Sequence, residues 1–259
     1  MDAGLGKRET LRRLAAVHES SVRSATTTST ESPAATLDRL DGIVISHEHT
    51  DHIGGLPALL GKWRHTTTFF TPATHAETLR AMPETHAKRL ERVEFIEAGQ
   101  RFTVGDIEVT PFAIPHDAVD PIGFVFASGG LKVAVVTDLG YMPELVKHYL
   151  HEADALVLES NHDVEMLKVG PYPWHVKQRV MSRTGHLSNH TVSEYLADPE
   201  GFDGFPRYLV LAHLSENNNN PDVALISAEE ALNRRPSHCA FHGQLLIASQ
   251  HKPLPPMQL

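Results

Sequence analysis

The chain has 259 residues, 41% hydrophobic and 21% charged, with a net charge of −9 and one cysteine, Cys239. That is the make-up of a globular domain with a sizeable core, and it excludes an internal disulfide or a multi-cysteine metal site. No apolar run reaches bilayer length and the polar opening MDAGLGKRET carries no signal-peptide pattern. A cytoplasmic protein without membrane association is therefore expected, and its overall acidity weighs against a nucleic-acid partner.

In chain order, residues 7–17 carry a helical period. Residues 19–36, ESSVRSATTTSTESPAAT, are rich in Ser and Thr without apolar periodicity and read as a mobile surface loop. Short apolar, β-branched runs then predict strands at 43–45, 68–71, 93–96, 107–113, 122–127, 131–137, 155–159 and 208–212. Helical patterns fall between them at 56–64, 74–80, 143–151, 174–181, 189–196 and 222–233, the last started by Pro221 and Asp222. SGG at 128–130 predicts a hairpin turn between IGFVFA and LKVAVVT. Interleaved strands and helices make a mixed α/β domain over residues 1–235. Residues 236–259 are expected to be an irregular tail, a final strand plus a loose end.

Charge is unevenly spread. Between Met166 and Ser193 there is no Asp or Glu, while Lys168, Lys177, Arg179 and Arg183 stand among Tyr172, Trp174 and three histidines. Such a strip suits a single-stranded or phosphodiester groove, and equally a solvated basic helix face.

ISHEHTDHIGGL, residues 45–56, crowds His47, His49, Asp51 and His52 into six positions behind an apolar strand. In an extended segment residues i and i+2 point the same way, so His47 and His49 can hold one ion. The chain then turns into a helix, which brings Asp51 and His52 to a second. Further ligands are sought where strands end: His116 in IPHD, Asp138 in VVTDLG and His213 in LVLAHLS. Imidazole and carboxylate donors suit two divalent ions of Zn, Mn or Fe. The other histidines, His18, His65, His75, His86, His148, His151, His238 and His251 among them, are read as ordinary surface or core residues.

HxHxDH followed by a strand-end His, Asp and His resembles the metallo-β-lactamase superfamily. The resemblance implies a four-layer αβ/βα sandwich with two metal ions between two sheets. One ion would take His47, His49 and His116, the other Asp51, His52 and His213, with Asp138 bridging. Iron oxidase relatives carry Glu where this chain has His49, which disfavours redox chemistry. Only 75 positions separate Asp138 from His213, too few for the nucleic-acid cap domain of some branches. Phosphodiesterase branches pair a Glu with a His that protonates the leaving oxygen, and Glu159 in LVLESNHD with His186 in GHLSNHTVSEYLA match that pair. A carboxylate raises an imidazole's pKa and fixes its tautomer, so the division of labour is chemically sound; a buried salt bridge is the plainer role for Glu159. Ser188 and Asn189 open a helix and could hold a phosphate oxygen or simply cap it.

The stretches DAGL, SHEHTDHIGGL, PHDAVDPIGFVF, TDLGY, LVLESNHDVEML, GPYPWHVKQRVMSRTGHLSN and LVLAHLSENNNNP resemble, more narrowly, the YycJ (WalJ) family over about residues 2–233. That likeness implies a 5′-to-3′ DNA exonuclease acting on a single strand or an end, with Asp51 orienting the water and His186 and Glu159 handling the proton. It turns the basic strip into a substrate groove in which Lys177, Arg179, Arg183 and Trp174 contact DNA. Asp2 and His162 are expected to support the ligands from behind. Family members begin with a hairpin before DAG, so the first strands are expected to be missing and the sheet edge beside Asp2 open. Two other functions fit the ligand pattern. A small-molecule hydrolase, a cyclic phosphodiesterase or thioesterase, agrees with the net acidity. A non-catalytic metal-binding signalling partner would have no use for a proton donor.

Overall fold

The computed structural model describes residues 1–24 and 39–259. Most of the loop expected at 19–36 lies outside these residues. Its first part instead completes α1 (Lys7–Ser24), since no Gly or Pro interrupts the chain between Lys7 and Pro33.

Two sheets make up the frame. β1 (Gly42–Val44), β2 (Thr67–Phe70) and β3 (Val93–Phe95) form a parallel three-stranded sheet with β1 at an edge. The seven-stranded sheet contains, in spatial order, β10 (Gln244–Ile247), β9 (Tyr208–Ala212), β8 (Ala155–Glu159), β7 (Leu131–Val136), β6 (Ile122–Ser128), β5 (Ile107–Ala113) and β4 (Phe102–Val104). β7 to β10 are mutually parallel and the meander β4 to β7 is antiparallel. The turn between β6 and β7 is the expected one: Ser128 pairs with Leu131, and Gly129 and Gly130 have φ of 59° and 82°, the left-handed pair a two-residue hairpin requires.

Strand alternation sorts side chains into three cores. Ile43 and Ile45 pack with Leu56, Leu59 and Leu60 of α3 (Leu56–Leu60) and with Trp63. Val44, between them in sequence, faces the other way and joins Phe69 to Val109, Ile122 and Phe124, closing sheet against sheet. On the outer face of the larger sheet, Leu156, Leu158, Leu209 and Leu211 meet Val192 and Leu196 of α9 (Asn189–Ala197) and Ala224 and Ala228 of α10 (Pro221–Asn233). Helix, sheet, sheet, helix is thus the order of layers, and each fully buried Leu, Ile or Phe contributes about 1.5–3 kcal/mol.

α2 (Thr50–Ile53) is the helix expected to follow His49, and the sequence pattern passes over the short elements α5 (Glu84–Ala87), α7 (Val164–Val169) and β4. β10 is the final strand expected within residues 236–259, and it extends the larger sheet beyond β9. The remaining helices, α4 (Pro72–Ala81), α6 (Glu144–Leu150) and α8 (Trp174–Val180), fall where the sequence carries helical periods. No described helix is long and apolar enough to cross a membrane.

Candidate metal centre

The candidate ligands converge because they leave the same ends of adjacent strands. β7, β8 and β9 are parallel and in register, Val136 opposite Leu158 and Glu159 opposite Ala212, so Asp138, Glu159 and His213 emerge side by side. β5 delivers His116, and β1 runs through Ile45 to His47, His49 and α2. Asp138 and His213 take left-handed backbone angles, φ 64° and 56°, as does Asp2 at 54°. Three of the four non-glycine residues with positive φ among those described are therefore gathered here. Each costs about 1–2 kcal/mol and turns a side chain inward at a strand end.

Two donor groups match the expected ligand sets: His47, His49 and His116, and Asp51, His52 and His213, with the ligating atoms of each group within 4.8 Å of one another. Asp138 stands between them, its Oδ2 3.3 Å from His52 Nε2 and its Oδ1 3.8 Å from His116 Nε2. His49 Nδ1 and His116 Nε2 are 3.2 Å apart.

The surroundings leave metal-binding atoms free. His116 Nδ1 donates to Gly185 O at 3.1 Å, His213 Nδ1 to Glu159 Oε1 at 2.7 Å, and His52 Nδ1 to Asp2 Oδ2 at 3.0 Å. Carbonyl and ionised carboxylate oxygens only accept, so each ring carries its proton on Nδ1 and turns the Nε2 lone pair inward. His47 Nε2 and Asp138 Oδ2 are buried and make no hydrogen bond, an expensive arrangement unless a cation binds there. Charge points the same way. Burial opposes a proton on His52 and on His213. Asp2, Asp138 and Asp51 around the first, and Asp138, Asp51 and Glu159 around the second, nonetheless raise both pKa values. His47, by contrast, is pushed down by burial and by the imidazoles of His52, His116 and His49. A site that crowds carboxylates around imidazoles in this way fits divalent cations.

Asp2 lies behind His52, one of the candidate ligands. Beyond its bond to His52, its Oδ1 accepts from Ser46 N at 2.8 Å, and its own N–H donates to Val44 O at 2.8 Å. Ser46, which sequence reasoning did not single out, links the set: its Oγ lies 3.0 Å from both Asp2 Oδ2 and His47 Nδ1. Gly55 is needed for close approach, since a Cβ there would meet Leu5 O at 1.8 Å, so the segment 2–5 can lie against α2 only over a bare backbone.

Glu159 is fully buried and uses every acceptor site. Oε1 accepts from His186 Nδ1 at 2.9 Å and His213 Nδ1 at 2.7 Å; Oε2 accepts from Leu139 N at 3.2 Å and Leu187 N at 2.9 Å. Burial alone would raise its pKa, but His186 and His213 hold it well below the usual carboxylate range. Burial likewise opposes charge on His186, which Glu159 and Asp138 outweigh, raising its pKa.

Several expected substrate contacts are engaged elsewhere. Lys177 is buried and its Nζ donates to Lys168 O at 2.7 Å, so it bridges two helices. Ser188 Oγ accepts from Thr191 N at 3.1 Å, a helix cap. Asn189 is buried in an amide network, accepting from Ser160 Oγ at 2.7 Å and donating to Asn219 Oδ1 at 2.8 Å, which removes it from solvent. Asn219 also donates to Ser160 O and Asn161 O, and Asn161 Nδ2 to His213 O at 2.9 Å, so the run NNNN before α10 braces the His213 loop. His162 supports the site through its backbone, its carbonyl accepting from Asn189 N at 2.8 Å, and not through its ring, whose buried Nδ1 has no partner. Arg179, Arg183 and Trp174 remain at the surface. Arg179 pairs with Asp117 beside His116, Arg183 lies 4.1 Å from the Tyr141 ring centroid, and Trp174 is 64% exposed.

Residues 2–214 match the family described as the Beta-lactamase superfamily domain. The chain belongs to that superfamily. Exodeoxyribonuclease YycJ of Bacillus anthracis is 36% identical over 200 residues, covering 77% of this chain and 73% of that protein. Exodeoxyribonuclease WalJ of Streptococcus pneumoniae is 35% identical over 190 residues, covering 71% and 67%. Among solved structures, the metallo-β-lactamase fold protein YhfI from Bacillus subtilis superposes with a TM-score of 0.58 at 20% identity, covering 81% of this chain and 75% of its own. Likeness to YhfI establishes the fold, the layered sandwich of the superfamily. Its sheets place the donor groups where HxHxDH and the strand-end residues had pointed.

Proposed function

We propose that this β-lactamase superfamily protein is a two-metal exodeoxyribonuclease that digests DNA from the 5′ end. The relatives named exodeoxyribonuclease support the activity, and the 5′ polarity is what the resemblance to the YycJ family implies. One observation carries the reading: the Glu159 carboxylate joins the donor His213 to His186, a histidine outside the two three-residue donor groups.

His47, His49 and His116 would hold one ion and Asp51, His52 and His213 the other, with Asp138 between; the ions, zinc or manganese, supply Lewis acidity and a nucleophile competent at neutral pH. Asp51, kept ionised by His213, accepts a hydrogen bond from the attacking water and orients it. Glu159 holds the proton on His186 Nδ1, leaving Nε2–H to protonate the departing sugar oxygen. The raised pKa keeps that second proton in place near neutrality. Arg179 and Arg183 flank the phosphates and Trp174 offers a face on which a base can stack.

The test is digestion of 5′-labelled and 3′-labelled DNA by zinc- and manganese-loaded protein beside His186→Ala. Release of the 5′ label, slowed about 10²–10⁴-fold by the substitution, is expected. An aryl phosphodiester, whose leaving group needs no proton, should be hydrolysed by both. No DNA cleavage by fully metallated protein would refute the reading in favour of a small-molecule substrate.

A further inference from the structure

A second positively charged surface lies at the other end of the three-stranded sheet. The N-terminal ends of β1, β2 and β3 open onto two neighbouring cavities. One, of about 480 Å³, is lined by Lys7, Arg64 and Arg89 with Glu91. The other, of about 470 Å³, is lined by Arg64 again, with Arg39, Lys62, Arg92 and Asp41. Among the described residues, Lys7, Arg39, Arg64, Arg89 and Arg92 meet two carboxylates there, in a chain whose net charge is −9.

Many cations elsewhere on the surface are neutralised by a neighbour. Arg12, Arg13, Arg80, Lys88, Arg101 and Lys147 each pair with a carboxylate. Within the cluster Arg39 pairs with Asp41 at 2.7 Å. Among the described residues, however, no carboxylate lies within ion-pair distance of Lys7, Arg64, Arg89 or Arg92, and all four are exposed. The side-chain bonds of Arg89 and Arg92 go to backbone carbonyls, Pro57 O at 2.9 Å and His65 O at 3.5 Å. Like charges gathered without counter-charges repel, and a polyanion relieves that repulsion. One small anion would engage one cavity; two adjoining cavities sharing Arg64 suit a run of phosphates.

The cluster is connected to the metal centre. From Asp41 to His47 the chain runs six residues through β1 and on past its end, at most about 20 Å at roughly 3.3 Å per residue. Residues 2–7 join the same two regions, with Asp2 bonded to His52 at one end and Lys7 lining a cavity at the other. Gly4, Leu5 and Gly6 between them bring no negative charge. At about 3.4 Å per base pair, 20 Å is roughly six base pairs.

We infer that this surface grips the phosphate backbone of the DNA substrate about six base pairs from the bond being cut, and so holds the undigested remainder between turnovers. The inference rests on the exonuclease reading and separates from it by length dependence.

The experiment compares Lys7→Glu/Arg64→Glu with the parent protein, both metal-loaded and carrying His186→Ala so that DNA is not consumed. Binding of labelled DNA is followed by fluorescence anisotropy. For a 20-base-pair duplex the affinity should fall tenfold or more, and the slope of log affinity against log salt should flatten by about 2, at about 0.9 for each phosphate no longer neutralised. A four-nucleotide strand, too short to span the interval, should shift less than twofold. The neutral pair Lys7→Gln/Arg64→Gln, with an unchanged melting temperature, should fall between. Unchanged duplex affinity and slope would overturn the inference and leave an acidic protein as the surface's partner. Equal weakening of both DNAs would overturn it too, as a general effect of charge. A wild-type protein that binds the duplex in this length-dependent way yet cuts no DNA refutes the exonuclease and upholds the surface. Neither binding nor cutting refutes both.

Discussion

Glu159→Gln is the most informative single change, because one carboxylate carries four hydrogen bonds. Glutamine has the same shape but only one accepting oxygen. Whichever way the amide turns, its NH₂ faces two donors: the rings of His186 and His213, or the Leu139 and Leu187 N–H groups. Two buried donors lose their partner at about 1–3 kcal/mol each, so roughly 2–6 kcal/mol of stability should go. At about 2–4 °C per kcal/mol, the melting temperature should fall by roughly 10 °C. Loss of the bond that orients His213 should weaken the ion it serves about 10–100-fold. Loss of the bond that charges His186 should slow DNA hydrolysis by a further factor of about 10²–10⁴. Metal content after dialysis, thermal melts, and turnover of DNA against an aryl phosphodiester separate the three effects. The DNA rate should fall further than the aryl rate, because only DNA needs the proton. Full metal retention with DNA hydrolysis within threefold of wild type would refute the coupling assigned to this side chain.

Other outcomes follow from the same geometry. Asp2→Ala removes the acceptor 3.0 Å from His52 Nδ1 and should weaken the ion held with Asp51 and His213 about 10–100-fold while sparing the His47, His49 and His116 set, which metal competition titrations resolve. Burial lowers the His162 pKa from 6.5 to about 4, so the unfolded chain takes up this proton first on acidification. The wild type should therefore lose about 3 kcal/mol relative to His162→Asn between pH 6.5 and 4 and nothing above it, measured by urea melts across that range. Arg235→Ala removes a buried guanidinium that donates to Leu196 O, Phe202 O and Cys239 O at 2.7–2.8 Å and should cost about 3 kcal/mol or more by leaving carbonyls unpaired, seen as a melting temperature lower by about 10 °C.

The candidate metal centre was legible because its strand-end donors, and Glu159 beside them, obey a rule written along the chain: an apolar run of strand length, then a polar residue. VVTD, LVLE and VLAH each end so, and the in-register parallel strands β7, β8 and β9 convert that linear pattern into adjacency. His47, His49, Asp51 and His52 needed no topology at all, being neighbours in sequence. The supporting groups were harder to read. Asp2 was placed through resemblance, and the link through Ser46 is a single hydroxyl inside the motif. Gly185 contributes only its carbonyl oxygen, which no side chain advertises. Arg235 sits at the border of a stretch that looks irregular because its bonds go to carbonyls of distant loops. β4 escaped notice because three residues show no convincing alternation, and pairing with β5 decides its conformation.

Charge behaves in the opposite way. The run from Met166 to Ser193 is conspicuous for lacking acids, yet folding disperses it: Lys177 turns inward to a carbonyl, Arg179 meets Asp117, and Lys168 meets Glu165 just outside the run. The cations at 7, 64, 89 and 92 are scattered, three of them with an acid one or two positions away, and no reading of local composition marks them. Parallel strands nonetheless share an end, so the residues preceding β2 and β3 must assemble there, where the start of α1 adds Lys7. A donor's position at a strand end is set by its own segment. Whether a cation is free for a polyanion depends on the nearest carboxylate, commonly from a distant part of the chain. Linear charge patterning therefore overstated one groove and concealed the other.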